Sequence, residues 1–255
     1  MIFKQWQSER LPRHQLDCLG PMDPHSLLAG AEPQVEFSGK LGERYSAALV
    51  VPSTLSWLMP PEMVQLTPVA QLVGTLTQAG GGECATRLVA ADQFYEADVP
   101  QAERHVRVAY QLYERGPGQL VVVVEENDLK YPPIVHNRLA QQLAEKLRAV
   151  GAETTVLVNS DKSTGVKDLE ELVPPEFITG ALAALVCALA PSGAGRVLVV
   201  QSEGPHGFEK HNLTVVDALV ERVRQILDQP PEYVAACTRH WKLQAGSQFQ
   251  GGLYL

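Results

Sequence analysis

"PIVHNRLAQQLAEKLRAVG" (Pro133–Gly151) is followed at once by "AETTVLVNS" (Ala152–Ser160), and here the chain changes rhythm. Ile134, Val135, Leu139, Leu143, Leu147 and Val150 recur at helical spacing, and Gly151 supplies a C-terminal stop. The apolar run after it is short and β-branched, which reads as a strand. The alternation then repeats. "PPEFITGALAALVCALAP" (Pro174–Pro191) reads as a buried helix opened by two prolines, with Glu176 at the positive end of the dipole. "GRVLVVQSEG" (Gly195–Gly204) is a strand. "NLTVVDALVERVRQILDQ" (Asn212–Gln229) is an amphipathic helix, with Thr214 and Asp217 spaced like a capping-box variant. "PPEYVAACTRHWKLQ" (Pro230–Gln244) is a last short helix. Helix, strand, helix, strand, helix implies parallel strands joined by right-handed crossovers.

Upstream the pattern is strand-rich. "YSAALVV" (Tyr45–Val51) is a buried strand stopped by Pro52. "MVQLTPVAQLVGTLTQ" (Met63–Gln78) holds two short apolar segments divided by Pro68, and "ECATRLVAADQ" (Glu83–Gln93) is a further candidate strand. "HVRVAYQLYE" (His105–Glu114) alternates, "RGPG" (Arg115–Gly118) turns, and "QLVVVVEEN" (Gln119–Asn127) is apolar enough to lie centrally. Those two strands form a hairpin. The first forty residues are irregular and read as an arm anchored by Phe3 and Trp6. The expected fold is α/β: one mixed, largely parallel sheet with helices on both faces. The expected organisation is a single domain over residues 1–244 and a flexible tail over 245–255.

Composition narrows the function classes. The net charge is −8 and Lys and Arg form no stripe, which disfavours nucleic acid and anionic membrane surfaces as partners. The N-terminal "MIFKQWQSER" has no apolar core of a signal peptide, and the run Phe177–Ala190 is too short to span a bilayer. Cys18, Cys84, Cys187 and Cys237 are far apart, without a C-x-x-C pair, so the thiols are expected reduced in the cytosol or nucleus.

The nucleophile elbow, the P-loop and the dinucleotide fingerprint are all missing from the sequence. Two loops at the carboxyl ends of strands keep an enzymatic reading open. "SEGPHGFEKH" (Ser202–His211) offers Ser202 as nucleophile with His206 or His211 as base, beside Glu203, Glu209 and Lys210. His206 and His211 as metal ligands have poor spacing. "NSDKSTG" (Asn159–Gly165) could cradle a phosphate on backbone N–H groups. Each loop also reads as a simple turn with solvated charges. No catalytic residue, cofactor or metal is assigned.

The ending "GSQFQGGLYL" (Gly246–Leu255) is unusual for a chain end. From Gln244 to Leu255 the stalk reaches at most roughly 35–40 Å. Gly251 and Gly252 free a tip of Leu253, Tyr254 and Leu255, where a bulky apolar side chain, a rigid tyrosine ring and a carboxylate can enter one groove together; the same residues also read as an unstructured end or an edge strand.

Hydrophobic–Tyr–any residue at a C-terminus resembles the docking motif of proteasome activators and assembly chaperones. "MIFKQW" (Met1–Trp6), "PPEFITG" (Pro174–Gly180), "SEGPHGFEK" (Ser202–Lys210) and "GLYL" (Gly252–Leu255) together resemble fungal members of one family, the first subunit of the heterodimeric proteasome assembly chaperone. The resemblance implies an α/β fold and a related second subunit as partner. It implies binding to the outer face of the core-particle α ring, promotion of α-ring assembly and blocking of premature regulator docking. It also implies that Leu253, Tyr254 and Leu255 enter a pocket between α subunits, where a lysine pairs with the carboxylate. The alternative reading is a small-molecule hydrolase or phosphorylase-like enzyme working through the loops at Asn159 and Ser202.

Overall fold

The structure, a computed structural model, describes residues 33–78, 104–116, 118–127, 133–193 and 195–250. The chain divides into two units, Met1–Glu32 with Thr77–His105, and Pro33–Leu76 with Val106–Leu255. The second unit carries the sheet. The N-terminal arm with Phe3 and Trp6, and the candidate strand Glu83–Gln93, lie outside the described residues.

Eight strands form one sheet: β1 (Gln34–Gly39), β2 (Ala47–Pro52), β3 (Thr67–Gln78), β4 (Arg104–Arg115), β5 (Gln119–Val124), β6 (Glu153–Ser160), β7 (Val166–Asp168) and β8 (Arg196–Gln201). Their order is β1-β3-β4-β5-β2-β6-β8-β7. The middle four, β5, β2, β6 and β8, run parallel. Antiparallel pairs flank them: β4 with β5 and β1 with β3 on one side, β7 with β8 on the other. The sheet is therefore mixed, as the sequence predicts, but not largely parallel: parallel pairing is confined to the four central strands, and antiparallel pairs complete both sides.

Four helices cover it: α1 (Pro133–Ala149), α2 (Gly180–Leu189), α3 (Leu213–Ile226) and α4 (Glu232–Gln250). Period-two alternation divides the buried strand residues between two faces. Leu49, Val51, Val121, Leu157, Leu198 and Val200 face α3 and α4, and pack on Val216, Leu219, Val223, Tyr233 and Cys237. Trp57 and Leu58, from a short 3-10 helix at Ser53–Leu58, close this layer. On the opposite face α1 presses so near β3 that a Cβ at Gly74 would stand 2.9 Å from Val135 and 3.0 Å from Leu139. Such close packing tolerates no extra methyl unless Val135 and Leu139, or the helix that carries them, give way.

Several local expectations change. "MVQLTPVAQLVGTLTQ" makes one long strand, because Pro68 sits second in β3, where its missing donor is cheapest. β1 forms inside the stretch read as irregular, and β7 adds an unexpected edge. The start of α3 is capped by Asn212 Oδ1, which accepts from Val215 N at 3.0 Å, rather than by Thr214. α2 begins at Gly180, six residues later than the prolines suggest. Gly180 adopts φ +85°, which breaks helical continuity from Pro174. α2 buries only Ala181, Leu182, Leu185 and Leu189, and leaves Cys187 exposed. α4 continues in helical geometry to Gln250, beyond the Gln244 limit read from the sequence. No helix among the described residues is long and apolar enough to cross a membrane.

Candidate functional site

The carboxyl ends of β2, β5, β6 and β8 gather the polar residues that sequence reading singled out. Both flagged loops leave this edge and are tied to each other. Ser202 N donates to Ser160 O at 3.0 Å. Asn159, 1 % exposed at the end of β6, lies between two partners. Its Nδ2 donates to Thr54 Oγ1 at 3.0 Å, and its Oδ1 accepts from His211 Nε2 at 3.0 Å. His211 also meets Trp57 edge-on, with ring centroids 6.4 Å apart.

This setting keeps His211 neutral. Burial pushes its pKa down to about 4, against a smaller upward pull from Glu209. The unfolded chain therefore binds a proton at His211 that the folded chain refuses, between about pH 6.5 and pH 4. Stability is full above that window and falls as pH drops through it, by about 2–3 kcal/mol. Urea titrations from pH 7 to pH 4 check this: His211→Gln, which keeps an N–H donor, flattens the profile in that window. An unchanged profile would remove His211 as the cause.

The Asn159–Gly165 loop turns several of its backbone donors onto the protein itself. Lys162 N donates to Ser160 Oγ at 3.1 Å, Thr164 N to Glu176 Oε1 at 3.2 Å, and Gly165 N to Gln201 Oε1 at 2.8 Å. Three backbone donors that a phosphate could use are thus taken by the protein's own side chains. Glu176, read from the sequence as a helix-start acid, is instead a clamp. It accepts from Lys167 Nζ at 2.6 Å, Thr164 Oγ1 at 3.2 Å and Val173 N at 3.1 Å. Lys167 first, then the Val173 N–H, holds its carboxyl down to about 2. Phe177 O accepts from Ser160 Oγ at 2.7 Å, which binds the "PPEFITG" segment to the end of β6.

The Ser202–His211 loop is closed by reciprocal bonds between Glu203 and Lys210, N to O at 2.9 Å in both directions. Ser202 is buried, and both imidazoles have other partners. His206 Nε2 lies 2.9 Å from Thr179 Oγ1 and its Nδ1 lies 3.2 Å from Glu209 Oε1. Sequence reading missed Glu126, which enters from the end of β5 and is 2 % exposed. Its Oε1 accepts from Leu182 N at 2.9 Å and so caps α2 across the fold, although the two residues are far apart in the chain. The outer faces of the same motifs are apolar: Phe177 is 48 % exposed and Phe208 53 %. Leu253, Tyr254 and Leu255, with Gly251 and Gly252, lie outside the described residues.

At this sheet edge Ser202 is buried and the two loop imidazoles are bonded to Thr179, Glu209 and Asn159, which defines a braced α/β scaffold. The chain belongs to the POC1 chaperone family, which it matches over residues 1–255. It is 29 % identical to Proteasome chaperone 1 of Saccharomyces cerevisiae (strain ATCC 204508 / S288c), over 281 residues that cover the whole of both chains. Membership in a chaperone family makes it a chaperone rather than an enzyme. Among solved structures it is similar to PbaB of Pyrococcus furiosus, an archaeal proteasome activator, with a TM-score of 0.49 and 11 % identity over 86 % of this chain and 99 % of that one. It is also similar to a PAC2 family protein from Streptomyces avermitilis, with a TM-score of 0.42 and 13 % identity over 79 % of this chain and 95 % of that one.

Proposed function

We propose that this chaperone acts on the proteasome, in the cytosol or nucleus. In this reading it pairs with a related second subunit and binds the outer face of the core-particle α ring. Leu253 and Tyr254, with the carboxylate at Leu255, enter a pocket between α subunits, and the bound pair promotes α-ring assembly and blocks premature docking of the regulator. The supporting observation is the family match over all 255 residues, joined to a sequence that ends "GLYL". The charge of −8 and the engaged sheet-edge loops agree with a binding role.

Two tails, one on each subunit, make attachment bivalent, so losing one should weaken retention far more than it alters folding. Tyr254→Ala, deletion of residues 253–255, and addition of one residue after Leu255 are each expected to cut recovery of α subunits in a pull-down about tenfold or more. Circular dichroism and recovery of the second subunit should stay as in the unmodified protein. Undiminished recovery of α subunits by the truncated chain would refute tail docking. A Ser202→Ala protein is expected to bind α subunits normally.

A further inference from the structure

Where the Ser202–His211 loop meets the end of β5, three ligand-type atoms converge. Glu126 from the end of β5, and His206 and Glu209 from the Ser202–His211 loop, each offer one ligand atom, and these three atoms lie within 4.8 Å of one another. His206 Nδ1 is 3.2 Å from Glu209 Oε1 and 3.9 Å from Glu126 Oε2. In each residue the other polar atom is held from outside the trio. Glu126 Oε1 accepts from Leu182 N at 2.9 Å, Glu209 Oε2 accepts from Gly207 N at 2.9 Å, and His206 Nε2 meets Thr179 Oγ1 at 2.9 Å.

We propose that Glu126, His206 and Glu209 together bind one divalent cation of the zinc class. The donor set of one imidazole and two carboxylates is one that zinc accepts, with a fourth position for water. Ligands about 2.0–2.2 Å from a tetrahedral ion stand roughly 3.4 Å apart, so the observed spacings need adjustments of only a few tenths of an ångström for the His206 pairs. The outer hydrogen bonds have the form expected around a metal: the imidazole's far nitrogen is bonded, and each ligating carboxylate is oriented by a backbone N–H. Charge agrees as well. Glu126 and Glu209 are 2 % and 6 % exposed, and two carboxylates so close and so buried need a cation between them. Within the trio an imidazolium offsets one of those two charges, and a divalent ion offsets both. The backbone is shaped to close on the site: a Cβ at Gly180 would stand 2.9 Å from His206 Nε2 and 3.0 Å from Glu126 Oε1.

The bound ion fastens the Phe208 loop to the end of β5 and the start of α2, and so fixes how that apolar face is presented. None of the three ligands belongs to the C-terminal tail. Full-length protein freed of metal with a chelator, then titrated with zinc chloride in a calorimeter, is expected to bind one ion per chain and to melt at a higher temperature. His206→Gln and Glu209→Gln should weaken zinc about 100-fold or more, while Thr179→Val, which only orients His206, should weaken it about tenfold. X-ray absorption at the zinc edge of the unmodified protein reads the ligands without any variant. One imidazole with oxygen neighbours supports the assignment, and a sulfur neighbour or several imidazoles overturns it. No binding at millimolar zinc, or binding untouched by both Gln variants, also overturns it and leaves an imidazolium as the counter-charge.

Discussion

A Gly207→Ala protein is expected to lose about 3–5 kcal/mol of stability, close to the whole margin of many domains. Gly207 has φ +91°, a region that costs a residue with a Cβ about 1–2 kcal/mol. The larger part is steric. The new Cβ would lie 2.3 Å from the Glu126 carbonyl oxygen and 3.2 Å from Asn127 Cβ. A carbonyl at the end of β5 has no rotamer with which to give way, so the loop must lift. Lifting it stretches the Gly207 N–Glu209 bond and the His206 contacts together. Gly165→Ala is the control, because Gly165 has φ +69° but nothing within 4 Å of its added Cβ. It should cost about 1 kcal/mol. At about 2–4 °C per kcal/mol the two proteins separate clearly in a thermal melt. If they melted together, the loop would not press on β5 as described.

Asn159→Ala should cost about 3–4 kcal/mol, through two partners rather than through lost volume. The side chain joins Thr54 on the 3-10 helix after β2 to His211 before α3. Removing it takes one of the Thr54 hydroxyl's partners, Glu209 being the other, and strips the imidazole N–H of its partner beside the buried end of β6; each such group costs about 1–3 kcal/mol. The effect should be non-additive with changes at His211, because both act on one bond. Denaturant curves for Asn159→Ala, His211→Phe and the double variant test this. The double variant should lose clearly less stability than the sum of the two single losses. Simple additivity would mean that the bond between them carries little.

The parts of the fold that sequence shows most clearly are those with a long, regular period. α1, α3 and the strands β2, β5, β6 and β8 are visible because apolar spacing alone separates a period of 3.6 from one of two or from a continuous run. β7 is three residues long and half-buried throughout, too short to hold a period. β1 buries none of its residues fully and lies next to Gly and Pro signals. The start of α2 was misread because "PPE" carries every local mark of a first helical turn. The Glu176 carboxylate is instead claimed by Lys167, Thr164 and Val173, a long-range competition that no local rule registers. The same holds for the candidate site. The two loops were legible as special by composition and by their place after strands, and His206 was flagged. Glu126 was not, because an acid at a strand end looks solvated until the fold brings Leu182 N and His206 to it.

The parallel centre of the sheet also has a consequence for biosynthesis. β2 is flanked by β5 and β6, whose pairing residues lie roughly 70 and 105 positions further along the chain. On the ribosome, then, the innermost strand emerges early and waits with both edges bare. A nascent chain arrested before Ser160 has clear of the exit tunnel cannot complete the sheet, and its apolar "AALVV" segment is the portion most in need of protection meanwhile.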